Sequence, residues 1–478
     1  MRTHFALLAL ALALLAPRAL AQSLPELGDT SGALLSPQME RRIGEEAMRD
    51  IRLHDPHFID DPELTEYINA VGRRITAANP EARQDFEFFL LRDNTVNAFS
   101  MPGGFVGVNT GLLLSAQTES ELAGVLAHEV AHVTQHHIAR LIGKQEQLTI
   151  PTIAALIVGL LAARSNPDIG QAAIVMAGAG SAQSQLNYSR DFEREADRIG
   201  FQSLERSGFD VNGMATFFER LQKATRLYEG NAPAYLRTHP LTTERIADMQ
   251  NRAQNAVYKQ VPDSVEFYLA QAKLRAEEGL PADAVAHFDE QVRERRYASE
   301  AAARYGLASA LVRARSFARA ADEVASLRKL IGAHPMVELL AARVRTDAGD
   351  LAGAQEVLRA ALTHNPGYRP LHYAYVEALQ DLGRHQMATA ALADLVKIYP
   401  RDARLYGLQA KSYTALGKRL QQHQALAEVY FLQGTLPAAI EQLQLAQKSG
   451  DGDFYQQSSV EARLRDLRAM QTEEAKRR

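Results

Sequence analysis

Gly349, Gly383 and Gly417 fall 34 residues apart, and Pro366 and Pro400 keep the same interval. A fixed period of this length in an Ala- and Leu-rich stretch leaves few folds open. Each unit must be a helix pair that cannot bury its apolar side alone and therefore stacks on its neighbours. Small residues stand where paired helices approach closely: Ala272 with Ala284, Ala308 with Ala320, Ala342 with Ala354. Bulky Tyr268, Phe288, Leu358 and Leu392 fill the layers between. The spacing predicts a helical-repeat domain over 262–450, four units followed by an irregular one that ends near Lys448. Arg315 occupies the turn position where later units have glycine.

These units resemble the tetratricopeptide repeat, and the resemblance implies a surface that binds peptide or protein. The chain opens very differently. Phe5–Ala16 is an unbroken apolar run, Pro17 ends it, and Ala19-Leu20-Ala21 supplies small residues at the right spacing for cleavage. Residues 1–21 are expected to be an export signal, too short in its apolar part to span a bilayer with ease. The absence of Cys rules out disulfide staples and thiolate metal ligands, and leaves nitrogen and oxygen donors. The formal charge of −4 becomes −6 when Arg2 and Arg18 leave with the signal, so there is no basic footprint for nucleic acid. The expected compartment is the periplasm.

Residues 36–255 read as a separate unit. Ser36-Pro37 and Asp61-Pro62 each pair an N-cap with a proline at the first helical position. Leu64, Tyr67, Ile68, Val71 and Ile75 keep helical spacing after the second, and Asn79-Pro80 stops it. Residues 86–91 are short, apolar and aromatic, as strands are. Residues 97–110 read as a hairpin around Pro102-Gly103-Gly104. Thr118 and Glu121 form a capping-box pattern before a helix through Leu122, Val125, Leu126, Val130 and Val133. The stretch from Ile150 to Ala163 admits two readings, a buried core helix or a segment making peripheral contact with a membrane. The unit is expected to close on itself, so a chain cut near residue 258 should keep its fold.

The sharpest chemistry lies in His128-Glu129-Val130-Ala131-His132. Side chains at i and i+4 share one side of a helix, so both imidazoles reach one ion, while Glu129 stands beside it as a base. His136 and His137 are expected to continue the helix as solvated or supporting residues, because one rigid helix cannot wrap three ligands around a tetrahedral ion. Another ligand must come from elsewhere, and Asp191-Phe192-Glu193-Arg194-Glu195-Ala196-Asp197 offers carboxylates on a later helix.

Four elements in this order resemble peptidase family M48: Asn97-Ala98-Phe99 with Pro102-Gly103-Gly104, the His-Glu-x-x-His helix, Glu193 with Asp197, and His239-Pro240. The resemblance covers roughly 36–255. It implies a mainly α fold, a zincin-like metalloprotease domain with a small β-hairpin or sheet, followed by the α-helical repeat solenoid. It also implies one Zn2+, bound by His128, His132 and Glu193 in the gluzincin manner, with Asp197 supporting them. Glu195 points about 200° around the helix from Glu193. Two roles are open for His239, as a donor to the oxyanion or as a fourth zinc ligand that displaces the catalytic water. Arg245 is a weaker candidate for bracing that loop or the oxyanion. Phe105, Val106, Gly107 and Val108 are expected to pair with an extended substrate.

Export signal, M48 domain and repeats together resemble a periplasmic branch of the family. That likeness implies unfolded or misassembled outer-membrane proteins as substrates, and the barrel-assembly machinery as a partner of the repeats. It also implies chaperone-like activity beside proteolysis. The alternatives are a repeat-domain chaperone or adaptor with a structural or regulatory zinc site, and a zinc amidase acting on cell-wall peptides.

Overall fold

The computed structural model describes residues 36–142, 190–227, 235–236, 239–257 and 259–477. The signal at 1–21 and the stretch at 150–163 lie outside the described residues. Among the described residues no helix is long and apolar enough to cross a membrane.

Helices α1 (Pro37–His54) and α2 (Pro62–Ala77) begin as the sequence predicts, with Ser36 and Asp61 accepting from the backbone N–H of Met39 and Leu64. Strands β1 (Glu87–Leu91), β2 (Ala98–Met101) and β3 (Phe105–Asn109) form one sheet in the order β1-β3-β2. The hairpin pairs β2 with β3 antiparallel, Ala98 opposite Val108 and Met101 opposite Phe105. Gly103 and Gly104 turn it at φ 77° and 96°, and a Cβ on Gly104 would lie 2.2 Å from the Asp85 carbonyl.

The strand order overturns one expectation. β3 also pairs with β1, in parallel from Glu87–Phe105 to Leu91–Asn109, so it is the central strand and is buried throughout. Phe105, Val106, Gly107 and Val108 have both backbone edges committed to neighbours and cannot add a substrate strand. The outer edge of β1 is itself covered, since Asn69 accepts from Phe88 N–H and donates to its carbonyl. Among the described residues β2 is the open edge. Its bond from Asn109 N–H to the Asn97 carbonyl fixes the register so that Ala98 and Ser100 turn their backbone groups outward.

The sheet is buried on both faces. Phe89, Phe99, Met101 and Phe105 pack on Ala47, Met48 and Ile51 of α1. Phe88, Leu90, Ala98, Val106 and Val108 join the main core. A short helix α3 (Thr110–Ser115) leads into α4 (Glu119–Thr134), which carries the His-Glu-x-x-His motif and is buried along its whole length. Thr118 caps it through Glu121 N–H at 3.2 Å, but the Glu121 carboxylate accepts from Gln117 N–H rather than from Thr118. His136, at φ 52°, ends the run, and His137 opens a separate helix α5 (His137–Ile142). The expected continuation through His136 and His137 is therefore broken. A left-handed residue turns the axis.

Helices α6 (Arg190–Arg206), α7 (Asn212–Leu227) and α8 (Thr243–Asn255) close the domain. α4 packs against α2, α6, α7 and the sheet. Gly200 and Gly124 permit two of these approaches, since a Cβ at Gly200 would lie 3.0 Å from His128 N and one at Gly124 3.0 Å from Met214 Cα.

The repeats follow as helix pairs: α9 (Val265–Glu277) with α10 (Pro281–Glu294), α11 (Glu300–Arg313) with α12 (Phe317–Ile331), and α13 (Pro335–Asp347) with α14 (Leu351–His364). Then come α15 (Arg369–Asp381) with α16 (His385–Ile398), α17 (Ala403–Ala415) with α18 (Arg419–Leu432), and α19 (Leu436–Lys448) with a longer α20 (Phe454–Arg477). Gly349, Gly383 and Gly417 all sit at positive φ between paired helices, and so does Arg315 at 57°. For a side-chain-bearing residue that conformation costs about 1–2 kcal/mol.

The repeats are not a detached module. Phe267, Ala270 and Leu274 of α9 belong to the protease core, while Leu269, Ala272 and Ala276 on its other faces join the core of the following repeats. Lys273, buried, lies 2.7 Å from Asp61 and pairs with Glu63, and Gln271 donates to the Leu113 and Ala116 carbonyls. Further along, Arg369 pairs with Glu66 at 3.0 Å and Arg404 with Asp60 at 2.8 Å. A cavity of about 2010 Å³ lies between the two parts, its walls including Arg49, Phe86, Arg369, Tyr373 and Arg404. α9 thus supplies part of the core of the catalytic unit, which weighs against the expectation that this unit closes on itself.

Candidate metal centre

One helical turn separates His128 from His132 on α4, and both rings are buried with their Nε2 atoms 3.0 Å apart. α6 crosses at Gly200 and brings Asp197 and Glu193, about one and two turns nearer its start, over the same spot. Glu193 Oε2 lies 3.4 Å from His128 Nε2 and Oε1 lies 3.4 Å from His132 Nε2. His239 completes the group, its Nδ1 3.3 Å from His128 Nε2 and 3.1 Å from Glu193 Oε1. Each of His128, His132, Glu193 and His239 offers a donor atom, and these four atoms lie within 4.8 Å of one another.

A ring of supports surrounds the donors. Asp197 Oδ1 is 3.0 Å from His128 Nδ1, and its carboxylate is gripped by Arg245 Nε at 2.6 Å and Nη2 at 2.8 Å. Arg245 also reaches Glu193 at 2.9 Å and the Pro240 carbonyl at 2.7 Å. It thus ties the His239 loop to both carboxylates, which is the bracing role among those the sequence left open. On the other side His132 Nδ1 lies 2.9 Å from His137 Nδ1, and His137 Nε2 lies 3.2 Å from Glu195. Tyr235 stacks on His239, with ring centres 4.7 Å apart, and its N–H donates to the Val96 carbonyl beside β2. Glu195 faces away from the cluster, as its helical angle from Glu193 requires.

The electrostatics suit a cation. Burial works against ionising Glu193, yet His239, His128 and His132 outweigh it and hold its carboxyl well below the usual range. Burial opposes ionised Asp197 too, and Arg245 and His128 hold it down. Burial likewise disfavours a proton on His128, but Asp197 and Glu193 prevail and raise it to about 9. His132 is pushed down by burial, as is His137, with His132 beside it as a further cause. Glu129 is fully buried, and neither of its oxygens accepts a hydrogen bond from a described residue; Oε1 lies 3.3 Å from His239 Nε2. Among the described residues Glu193 and Asp197 thus share one guanidinium, Arg245, with the Glu129 carboxylate buried beside them. Buried charge without compensation is costly, and a divalent cation among nitrogen and oxygen donors would balance it.

Sequence reasoning located His128, Glu129, His132, Glu193, Asp197 and His239, and the structure brings all six together. It missed Tyr235 and gave no specific task to His137 or Glu195. His137 stands five residues after His132, out of helical phase, and only the turn at His136 brings it back.

Comparison with known proteins agrees with this geometry. Residues 61–253 match peptidase family M48, and residues 345–412 match the tetratricopeptide repeat. The chain is 33% identical to the Escherichia coli (strain K12) beta-barrel assembly-enhancing protease, over 94% of this chain and 92% of that protein. It is 43% identical to a Vibrio cholerae protein described as a beta-barrel assembly-enhancing protease, over 55% of this chain and 54% of that one. A third relative, the Schizosaccharomyces pombe mitochondrial metalloendopeptidase OMA1, is 32% identical over 47% of this chain and 64% of its own length.

Proposed function

The chain belongs to peptidase family M48, a family of metalloendopeptidases, and on that premise we propose a zinc-dependent endopeptidase of the periplasm that cleaves unfolded or misassembled outer-membrane β-barrel proteins. The observation that carries the reading is the Glu129 carboxylate, buried and without a hydrogen-bond donor among the described residues, beside four converging metal donors. A purely structural zinc site has no use for such a carboxylate, which weighs against the adaptor reading.

His128, His132 and Glu193 would hold the ion. Zinc bound there supplies Lewis acidity, polarising a carbonyl and making water acidic enough to lose a proton near neutral pH. Glu129 takes that proton as water attacks the scissile carbonyl, then delivers it to the leaving amine. Asp197 and Arg245 keep the His128 ring and the Glu193 carboxylate in place through both transfers.

At rest, His239 would offer the fourth donor to the ion and so restrain the enzyme. Its backbone N–H is bonded to the Tyr235 carbonyl, and Tyr235 itself occupies the start of the β2 edge through Val96. His239 and Tyr235 together would thus occupy the fourth donor position and the first backbone acceptor that a substrate strand would use. Release of the loop frees Ala98 and Ser100 to pair with an extended, unfolded segment, which gives affinity with little sequence preference. The repeats offer the surface for the barrel-assembly machinery, and capture of unfolded chains there would give the chaperone-like activity.

The test is digestion of an unfolded outer-membrane barrel protein by the intact chain and by His239→Ala. Apparent activity scales with the uncapped fraction, so His239→Ala is expected to cleave faster with its zinc content unchanged. A fall of about 10²–10³ with zinc retained would instead assign His239 to the oxyanion. No cleavage of the barrel protein by either chain would contradict the substrate assignment.

A further inference from the structure

We propose that His137 is the positioning residue for His132, fixing its tautomer for metal binding, and that Glu195 and Arg140 hold His137 in that task. The inference deepens the site reading above and rests on His132 binding through Nε2.

His132 turns Nε2 into the cluster, and its Nδ1 lies 2.9 Å from Nδ1 of His137. Two ring nitrogens at this distance form a hydrogen bond only if one carries a proton and the other does not. A neutral imidazole that gives Nε2 to a metal carries its proton on Nδ1. His132 therefore donates, His137 accepts at Nδ1, and the proton of His137 sits on Nε2. That nitrogen faces Glu195 Oε2 at 3.2 Å, and Arg140 holds the same oxygen at 3.0 Å. Each link sets the polarity of the next.

The parts are built to keep this orientation. His137 is fully buried and stacks on Phe192 with ring centres 4.4 Å apart and planes 13° apart. The Arg140 guanidinium lies 4.4 Å from the same Phe192 ring. The left-handed turn at His136 takes His137 out of α4 and returns it to the back of His132. On the opposite flank Asp197 and Arg245 back His128. Both ligand imidazoles thus rest on a carboxylate held by a guanidinium, His128 directly and His132 through one intervening imidazole. Without that acceptor, the His132 ring loses the bond that holds its proton on Nδ1, and a proton moved to Nε2 competes with the ion.

The test is zinc affinity of the full chain, measured by competition with a chromophoric chelator. His137→Phe keeps the ring and the stacking but removes the acceptor, and is expected to weaken binding about 10–100-fold. His137→Asn places an amide oxygen near the Nδ1 position and is expected to recover most of that loss. The visible bands of the cobalt-loaded chain should shift in His137→Phe and return in His137→Asn. Circular dichroism checks folding. If His137→Phe does not fold, Glu195→Ala, altered at a partly exposed carboxylate, is expected to weaken zinc several-fold. Unchanged affinity in the folded variant overturns the proposal and leaves the metal site standing. Equal losses in His137→Phe and His137→Asn also overturn it, since packing rather than the acceptor would then set affinity. Failure of the unaltered chain to bind zinc would bring down the site reading itself.

Discussion

Glu193→Ala is expected to leave a folded chain that no longer retains zinc through gel filtration. The carboxylate lies 3.4 Å from both ligand imidazoles and is held ionised despite its burial, so its loss removes a donor and a charge together. Outer supports of metal sites are worth about 10–100-fold in affinity, and a direct ligand should exceed that range. Folding should survive, because Arg245 keeps its two bonds to Asp197. Glu195→Ala should cost much less, since Glu195 reaches the ion only through His137 and His132. Metal content and thermal melting, each read with and without added zinc, make the comparison. Ligand at 100 times its Kd adds about 2.7 kcal/mol of stability, a gain the unaltered chain should show and Glu193→Ala should not. Zinc loss in Glu195→Ala with zinc retained in Glu193→Ala would invert the assignment of the α6 faces.

Ending the chain at Val257 is expected to destabilise the protease domain by a large share of its stability, enough to leave it poorly folded. The cut removes α9, whose Phe267 and Leu274 lie in the same core as Leu122 and Phe217. Burial of two such side chains contributes about 3–6 kcal/mol, against a typical total of 5–15. Loss of Lys273 also leaves Asp61 and Glu63 without their counter-charge at the start of α2. A chain ended after Gly279 keeps α9 and should fold, although it exposes Leu269 and Ala272. Soluble yield and near-ultraviolet circular dichroism of the two chains decide the matter. A cooperative melt from the shorter one would show that the core closes without α9.

The parts of this molecule that local rules govern were legible in its sequence. Ser36, Asp61 and Thr118 cap their helices because a side-chain oxygen three residues before a free N–H leaves little choice. The His128–His132 pair could be placed because helical phase alone brings the two rings together. Long-range pairing was not legible. The hairpin of β2 and β3 announced itself through Pro102-Gly103-Gly104, but nothing local says that β1 inserts alongside β3 and makes it central. The edge available to substrate thus moved from Val106 and Gly107 to Ala98 and Ser100. The share of α9 in the protease core was hidden for a different reason. Phe267, Leu269, Ala270, Ala272 and Leu274 are interleaved with Gln271, Lys273 and Arg275, so α9 has no single polar face, the mark of a helix buried on two sides. That signal was present and was absorbed into the repeat pattern. His137 depended on one left-handed residue, His136, which carries none of the usual signs of a turn.

The central claim, that Glu129 takes the proton of the attacking water at a zinc site, is tested most directly by measuring zinc and proteolysis together on the intact chain and on Glu129→Gln. The amide keeps the shape of the side chain and leaves both imidazoles free to bind, but it cannot accept a proton. Both chains are expected to carry about one zinc, while cleavage of an unfolded barrel protein falls by about 10²–10⁴ in Glu129→Gln. Undiminished cleavage by Glu129→Gln at equal zinc content would contradict the account.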